Sequence, residues 1–303
     1  MNVKKQMAVL TILLALLYCG CAGGGSPVLE GAADHRVASL SMLESIPDSD
    51  IVKAKSRLVI AYGHTSHGSQ IVDGLGSLDA FMTGRGKAAG LYSGLDLRTD
   101  MGNYDSTYGA YDLNNPSYTA WEAATRNYLS THTGINVVIW SWCGGADTSE
   151  ENINTYLNLM NALENDYPDI VFIYMTGHLN GTGLEGNLHQ RNEQIRLYCR
   201  ENGKVLFDFA DIESYDPDGN YYADRLATDA CNYDADGDGT AEQTGDPATP
   251  LDGDRNWAID WQGSHAVNVF WYNCGAAHSQ PLNANMKAYA FWWLMVRVAD
   301  MVD

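Results

Sequence analysis

Basic side chains are scarce in this chain: 18 Lys and Arg stand against 38 Asp and Glu, for a formal net charge of −20 and a pI near 4.5. Grip on nucleic-acid phosphates needs a basic face, so that class of partner is excluded, and an anionic polymer is repelled as well. A neutral or esterified substrate fits the charge better. Cysteine is sparse at six, and no two are spaced Cys-x-x-Cys, which disfavours a four-cysteine zinc site. No long apolar stretch reads as an exposed lid, which counts against a lipid ester. The apolar run at residues 7–18, behind Lys4 and Lys5, is short for a bilayer span and reads as part of an export signal over residues 1–21. What remains is 45% hydrophobic and 11% aromatic over 303 residues, enough to bury one large core or two small ones.

Residues 18–21, Tyr-Cys-Gly-Cys, resemble a bacterial lipoprotein processing site, in which cleavage before Cys21 leaves that cysteine to carry lipid and attach the protein to a membrane. Tyr18 stands where such sites usually have Leu, so cleavage without lipidation stays open. Either route implies export, to the bacterial outer membrane, periplasm or cell surface. Residues 22–50 then read as a flexible tether, beginning Ala-Gly-Gly-Gly-Ser, and a lead-in, ahead of a single domain over residues 51–303.

Within that domain, short apolar runs alternate with helical spacing. Residues 57–62, 136–142, 169–176 and 204–209 read as buried strands, and residues 94–98 as a brief strand second in order. Helices are predicted at residues 38–46, 71–82, 116–131 with Pro116 at its start, 148–166 with Thr148 and Glu151 as a capping box, 188–202 and 283–302. Strand alternating with helix predicts an α/β fold, a mostly parallel five-stranded sheet covered on both faces.

The sequence reads as organised around residues 57–71, Arg-Leu-Val-Ile-Ala-Tyr-Gly-His-Thr-Ser-His-Gly-Ser-Gln-Ile. A strand runs into a turn of two imidazoles and two hydroxyls, then into a helix whose amino terminus offers free N–H groups. Ser66 in that turn is a candidate nucleophile. Equally, Ser66 and Thr65 suit helix capping. His64 and His67 form His-x-x-His, which also suggests a metal site with His178.

Residues 215–282 break the alternation, and a stretch so long is usually functional or held by bridges or ions. Asp234, Asp236 and Asp238, followed by Gly239, match the first half of a calcium loop, but Gly245 stands where a closing Glu is needed. A calcium-stabilised loop and a solvated acidic turn both remain open, and no cofactor is required. An oxidising compartment would allow bridges among Cys143, Cys199, Cys231 and Cys274, and Cys231 with Cys274 is the favoured pair, since both lie in this loop region.

The order of elements and the polar turns resemble the SGNH, or GDSL-type, hydrolases, over roughly residues 57–211 plus the last helix. The resemblance implies a flavodoxin-like three-layer α/β/α sandwich and ester hydrolysis. It places the nucleophile at Ser66, with Gly68 in register, and the second-block glycine at Gly102. The third block falls on Cys143-Gly144-Gly145-Ala146-Asp147, where the family's Asn is missing. Oxyanion and substrate contacts would then come from Gly102 or Gly144 backbone and from His64, His67, His178 or Asn180. The last block supplies His278 as general base, without the acid three residues earlier. Asp211, Asp254 and Asp260 are candidates to orient it, Asp211 being taken as the triad acid, and His265 is a competing base.

Aromatic loop residues Tyr104, Tyr108, Tyr111, Trp257, Trp261, Trp271 and Tyr272 suit flat sugar rings, whereas Trp140, Trp292 and Trp293 suit the core. The leading expectation is an exported serine esterase acting on a carbohydrate O-acetyl ester or another small or polymeric ester. The alternatives are a non-catalytic glycan-binding surface lipoprotein and a metal hydrolase using His64, His67 and His178.

Overall fold

The computed structural model describes residues 32–241 and 253–302; the expected signal, the start of the tether and Cys21 lie outside them. Strands β1 (Val59–Gly63), β2 (Asp96–Gly102), β3 (Val137–Trp140), β4 (Val171–Met175) and β5 (Val205–Phe207) form one all-parallel sheet in the order β2-β1-β3-β4-β5. Side chains alternate across it. In β4, Ile173 and Met175 enter one core and Phe172 and Tyr174 the other. The first core is closed by α3 (Ser66–Gly84) and α9 (Pro281–Val298), the second by α4 (Ala120–Thr131), α5 (Glu150–Asp166) and α6 (Asn187–Asn202). The result is a three-layer α/β/α sandwich. Helix α9 is buried on nearly every side, because α1 (Leu40–Glu44), α2 (Asp48–Arg57) and α3 all pack against it. Among the described residues no helix is long and apolar enough to cross a membrane.

Several boundaries differ from the sequence reading, each for a local reason. Residues 48–57 are helix α2, with acidic Asp48 and Asp50 in its first turn and Lys55 and Arg57 in its last, as the helix dipole favours. Arg57, expected to open the first strand, instead ends α2 and donates from Nη1 to the carbonyl oxygens of Ala299 (3.0 Å) and Val302 (3.3 Å). Strand β2 runs four residues further than expected because it pairs with β1 up to Gly63–Gly102. Helix α4 starts at Ala120 rather than Pro116. The cap of α5 is Ser149, whose hydroxyl accepts the Asn152 N–H at 3.2 Å; Thr148 binds the Asn152 side chain instead. The long insertion is not without elements: β6 (Asn232–Tyr233) pairs antiparallel with β7 (Arg255–Asn256), and α8 (Trp257–Ser264) follows. Short α7 (Phe209–Glu213) precedes it.

The expected Cys231–Cys274 bridge is absent, and Cys143, Cys199, Cys231 and Cys274 are all free thiols. Cys231 faces the Ser279 hydroxyl, and Cys274 accepts from the Asn285 side chain while facing the Pro281 carbonyl.

Candidate active site

The sheet reverses its strand order between β1 and β3, and in open α/β sheets the crevice beyond the carboxyl ends of such strands is where ligands bind. Register decides what meets there. Gly63 pairs with Trp140, so the residues three beyond each, Ser66 and Cys143, come face to face, Ser66 Oγ lying 3.3 Å from Cys143 Sγ. The junction is tight. The Trp140 indole lies over Gly63 and Gly102, and a Cβ at either would fall 2.2 Å from a ring carbon. Trp140 is fixed in turn by its Nε1–H, which donates to Thr125 Oγ1 at 2.8 Å. Gly68 is equally constrained, since a Cβ there would meet Ser141 Oγ at 2.3 Å.

His67, second residue of α3 and buried, completes the cluster. Its Nδ1 lies 3.2 Å from Cys143 Sγ and its Nε2 lies 2.8 Å from Asp229 Oδ2. Asp229 is itself anchored: its N–H donates to the Leu179 carbonyl (3.1 Å) and its Oδ1 accepts the Ala230 N–H (2.9 Å). The His67 ring stacks on His178, with centroids 3.7 Å apart and planes at 3°, and on His278 at 4.6 Å and 16°. Thiol, imidazole and carboxylate are thus in line, the third group orienting the second.

The electrostatics follow. Burial alone would raise the half-buried Cys143 thiol, but hydrogen bonds from His67 and Ser66 and the His67 charge outweigh it and bring Cys143 down to about 6. Burial likewise opposes a charge on His67, yet Asp229 and Cys143 lift it to about 9. Asp229 is held below the usual carboxylate range, its burial outweighed by the His67 hydrogen bond and the neighbouring imidazoles. Burial lowers His178, and the charge on His67 lowers it further, so His178 is neutral beside an imidazolium. Near neutral pH the pair is thiolate and imidazolium.

Neither hydroxyl of the turn caps α3. Thr65 occupies the cap position but donates to buried Asp112 Oδ2 at 2.9 Å, and Ser66 turns to the thiol. The N–H groups of Ser66, His67 and Gly68, in the first helical turn, have no carbonyl four residues back within the helix, which makes this terminus a ready anion site beside Sγ.

Of the residues expected from sequence, Ser66, His67, His178 and His278 do converge here. His278, in the left-handed backbone region at φ +62°, meets the ring of His67, and no hydrogen bond joins it to Ser66. Asp211 is a correction: its carboxylate holds His35, Oδ2 lying 2.5 Å from Nδ1. Asp254 accepts from the Ala235 N–H, Asp260 pairs with Arg255, and His265 stacks on Trp261. His64 binds the Thr65 carbonyl through Nδ1. Gly102 serves strand packing against Trp140, whereas Gly144, at φ +86°, borders open space after Cys143. Asn180 donates to Asp147. Trp257 and Tyr272 are core, while Tyr104 is exposed and lies against Tyr111.

Metal chemistry at the expected histidines fits poorly. The grouping that forms is His67, His178 and Asp229 without His64. Parallel stacked rings carry their nitrogen lone pairs in parallel planes, so those of His67 and His178 do not converge on one ion, and both nitrogens of His67 already have partners. In the acidic loop, Asp234 and Asp236 gather with Asp254, not Asp238, whose Oδ1 accepts from Thr240.

Comparison with protein-family models, curated proteins and solved structures finds no match to this chain. Cys143 and Asp229 are the residues that sequence reasoning missed. Cys143 had a usable signal: it follows a buried strand and precedes two glycines, the same position relative to β3 that the His-Thr-Ser-His turn has relative to β1. Asp229 had none, lying in the insertion without periodicity.

Proposed function

We propose that this protein is an acyl-ester hydrolase whose nucleophile is the Cys143 thiolate. The observation that carries the reading is His67, hydrogen-bonded through one nitrogen to Cys143 and through the other to Asp229. Cys143 Sγ adds to the acyl carbonyl, and the oxyanion is met by the N–H groups heading α3. As the carbon–oxygen bond breaks, the leaving alkoxide takes the proton from His67, leaving an acyl thioester. Water then attacks the thioester, giving its proton to neutral His67, and the acid departs as the thiolate re-forms. Asp229 holds the ring in place throughout and stabilises its charge whenever His67 is protonated. Cys143→Ala is expected to lose turnover of an activated acetyl ester by about 10³-fold or more in a folded protein, as loss of a nucleophile does. Full activity in that variant sinks the reading.

A serine esterase remains the second reading, because Ser66 heads α3 in the same crevice and His278 stacks on His67, the residue after Ser66. It predicts that Ser66→Ala, not Cys143→Ala, abolishes turnover. The strand order and the position of Ser66 after β1 support kinship with the SGNH hydrolases within this proposal. A carbohydrate ester as substrate is supported by the exposed Tyr104 against Tyr111, in the loop that also carries Asp112. Export and lipid attachment rest on residues 1–21; metabolic labelling with a fatty acid, lost in Cys21→Ala, tests them.

A further inference from the structure

Behind the stacked imidazoles lies a charged cluster that the proposed chemistry does not use. Lys287 on α9 and Glu213 at the end of α7 are both completely buried and form an ion pair, Nζ to Oε1, at 2.6 Å. The Lys287 ammonium also hydrogen-bonds Gln70 Oε1 and sits 3.7 Å from the Phe209 ring centroid. Burying such a pair gives little net stability over apolar residues of the same volume, so its presence here asks for another reason. Its partners supply one. Glu213 Oε2 accepts the N–H of Leu179, the residue after His178, at 2.9 Å. Gln70 Nε2 donates to the carbonyl of Ala277, the residue before His278, at 2.6 Å. Asn283 Nδ2 bonds Glu213 Oε1 at 3.3 Å and the hydroxyl of Ser279, the residue after His278, at 2.8 Å.

We infer that Lys287, Glu213 and Gln70 form a positioning unit that holds the His178 and His278 loops against the ring of His67, so that His67 keeps one nitrogen on Cys143 and the other on Asp229. This rests on the reading of Cys143 and His67 as the reacting pair. An imidazole turns about its Cβ–Cγ bond, and rings packed against its faces hold its plane together with the hydrogen bonds at its two nitrogens. Here those walls are two further rings on loops, one of them with its backbone at φ +62°, a region uncommon for residues other than glycine. Gln70, one turn beyond His67 on α3, ties the same helix into the unit. Lys287 touches no reacting atom and acts through the others.

The test is the pH dependence of Cys143 alkylation by iodoacetamide in the full chain, read by peptide mass, with melting followed in parallel. Wild type is expected to reach half its maximal rate near pH 6. Lys287→Met, and Gln70→Met, which leaves the ion pair in place but cuts the Ala277 arm, are expected to move that midpoint upward by about one unit or more, since a turned imidazole no longer supports the thiolate. Ile51→Ala, which weakens the α2 packing far from these loops, is expected to lower the melting temperature and leave the midpoint in place. If Lys287→Met does not fold, Gln70→Met decides. An unmoved midpoint in folded Gln70→Met, or an equal shift in Ile51→Ala, overturns the positioning unit alone. A wild-type midpoint near 9 overturns the thiolate reading and the unit with it.

Discussion

Replacing Asp229 with Asn keeps the shape of the side chain facing His67 Nε2 but removes its charge. A hydrogen bond to a charged group contributes about 1.5–3 kcal/mol and a neutral one about 0.5–1.5 kcal/mol, so the change takes roughly 1–2 kcal/mol from the imidazolium. At about 1.4 kcal/mol per pH unit, His67 should fall from about 9 by about one unit. Cys143 owes its depressed value to His67 and Ser66, so its titration near 6 should hardly move. The assay is kcat/KM against pH with an alkyl acetate, whose alkoxide must take the His67 proton as it leaves. Wild type should show a bell with limbs near 6 and 9, and Asp229→Asn a bell narrowed from its alkaline side only. An alkaline limb that stays in place refutes the assignment of Asp229 as the orienting group. Stability should follow the same linkage. His67 is raised on folding, so its contribution is complete below its ordinary value of 6.5 and lost as pH rises through about 9. Asp229 is depressed, so its contribution is present above the ordinary carboxylate value of 3.8 and lost as pH falls through its folded value. The melting difference between wild type and Asp229→Asn should therefore be largest in the mildly acidic range and vanish at both extremes.

Ser66→Ala should reduce turnover by about 10–100-fold without abolishing it, as expected for a group that hydrogen-bonds the thiolate; complete loss would instead favour the serine reading. Gly63→Ala drives a Cβ into the Trp140 ring and should cost about 1–3 kcal/mol, read as a melting temperature lower by about 2–4 °C for each kcal/mol. Unchanged melting would mean that the indole has room to shift. Alkylation of the denatured, unreduced protein should label both Cys231 and Cys274; failure to label either would restore the bridge.

Sequence by itself determined the class of fold, because alternation of short β-branched runs with helical apolar spacing leaves few arrangements but a covered parallel sheet. It also marked the turn at residues 64–68, where strand gives way to helix with polar residues between, and it brought His178 and His278 into consideration as turn residues beside later elements. Local pattern could go no further. Which hydroxyl or thiol meets which imidazole depends on Gly63 pairing with Trp140 across two strands more than seventy residues apart in the chain, and no periodicity records register. Asp229 reached the imidazole through an irregular insertion, and Asp211 was drawn instead to His35 by the packing of α7 beside the chain's lead-in. Spacing announces elements because neighbouring residues share one backbone geometry, whereas a reactive cluster is assembled from loops whose paths are fixed only when the cores behind them close.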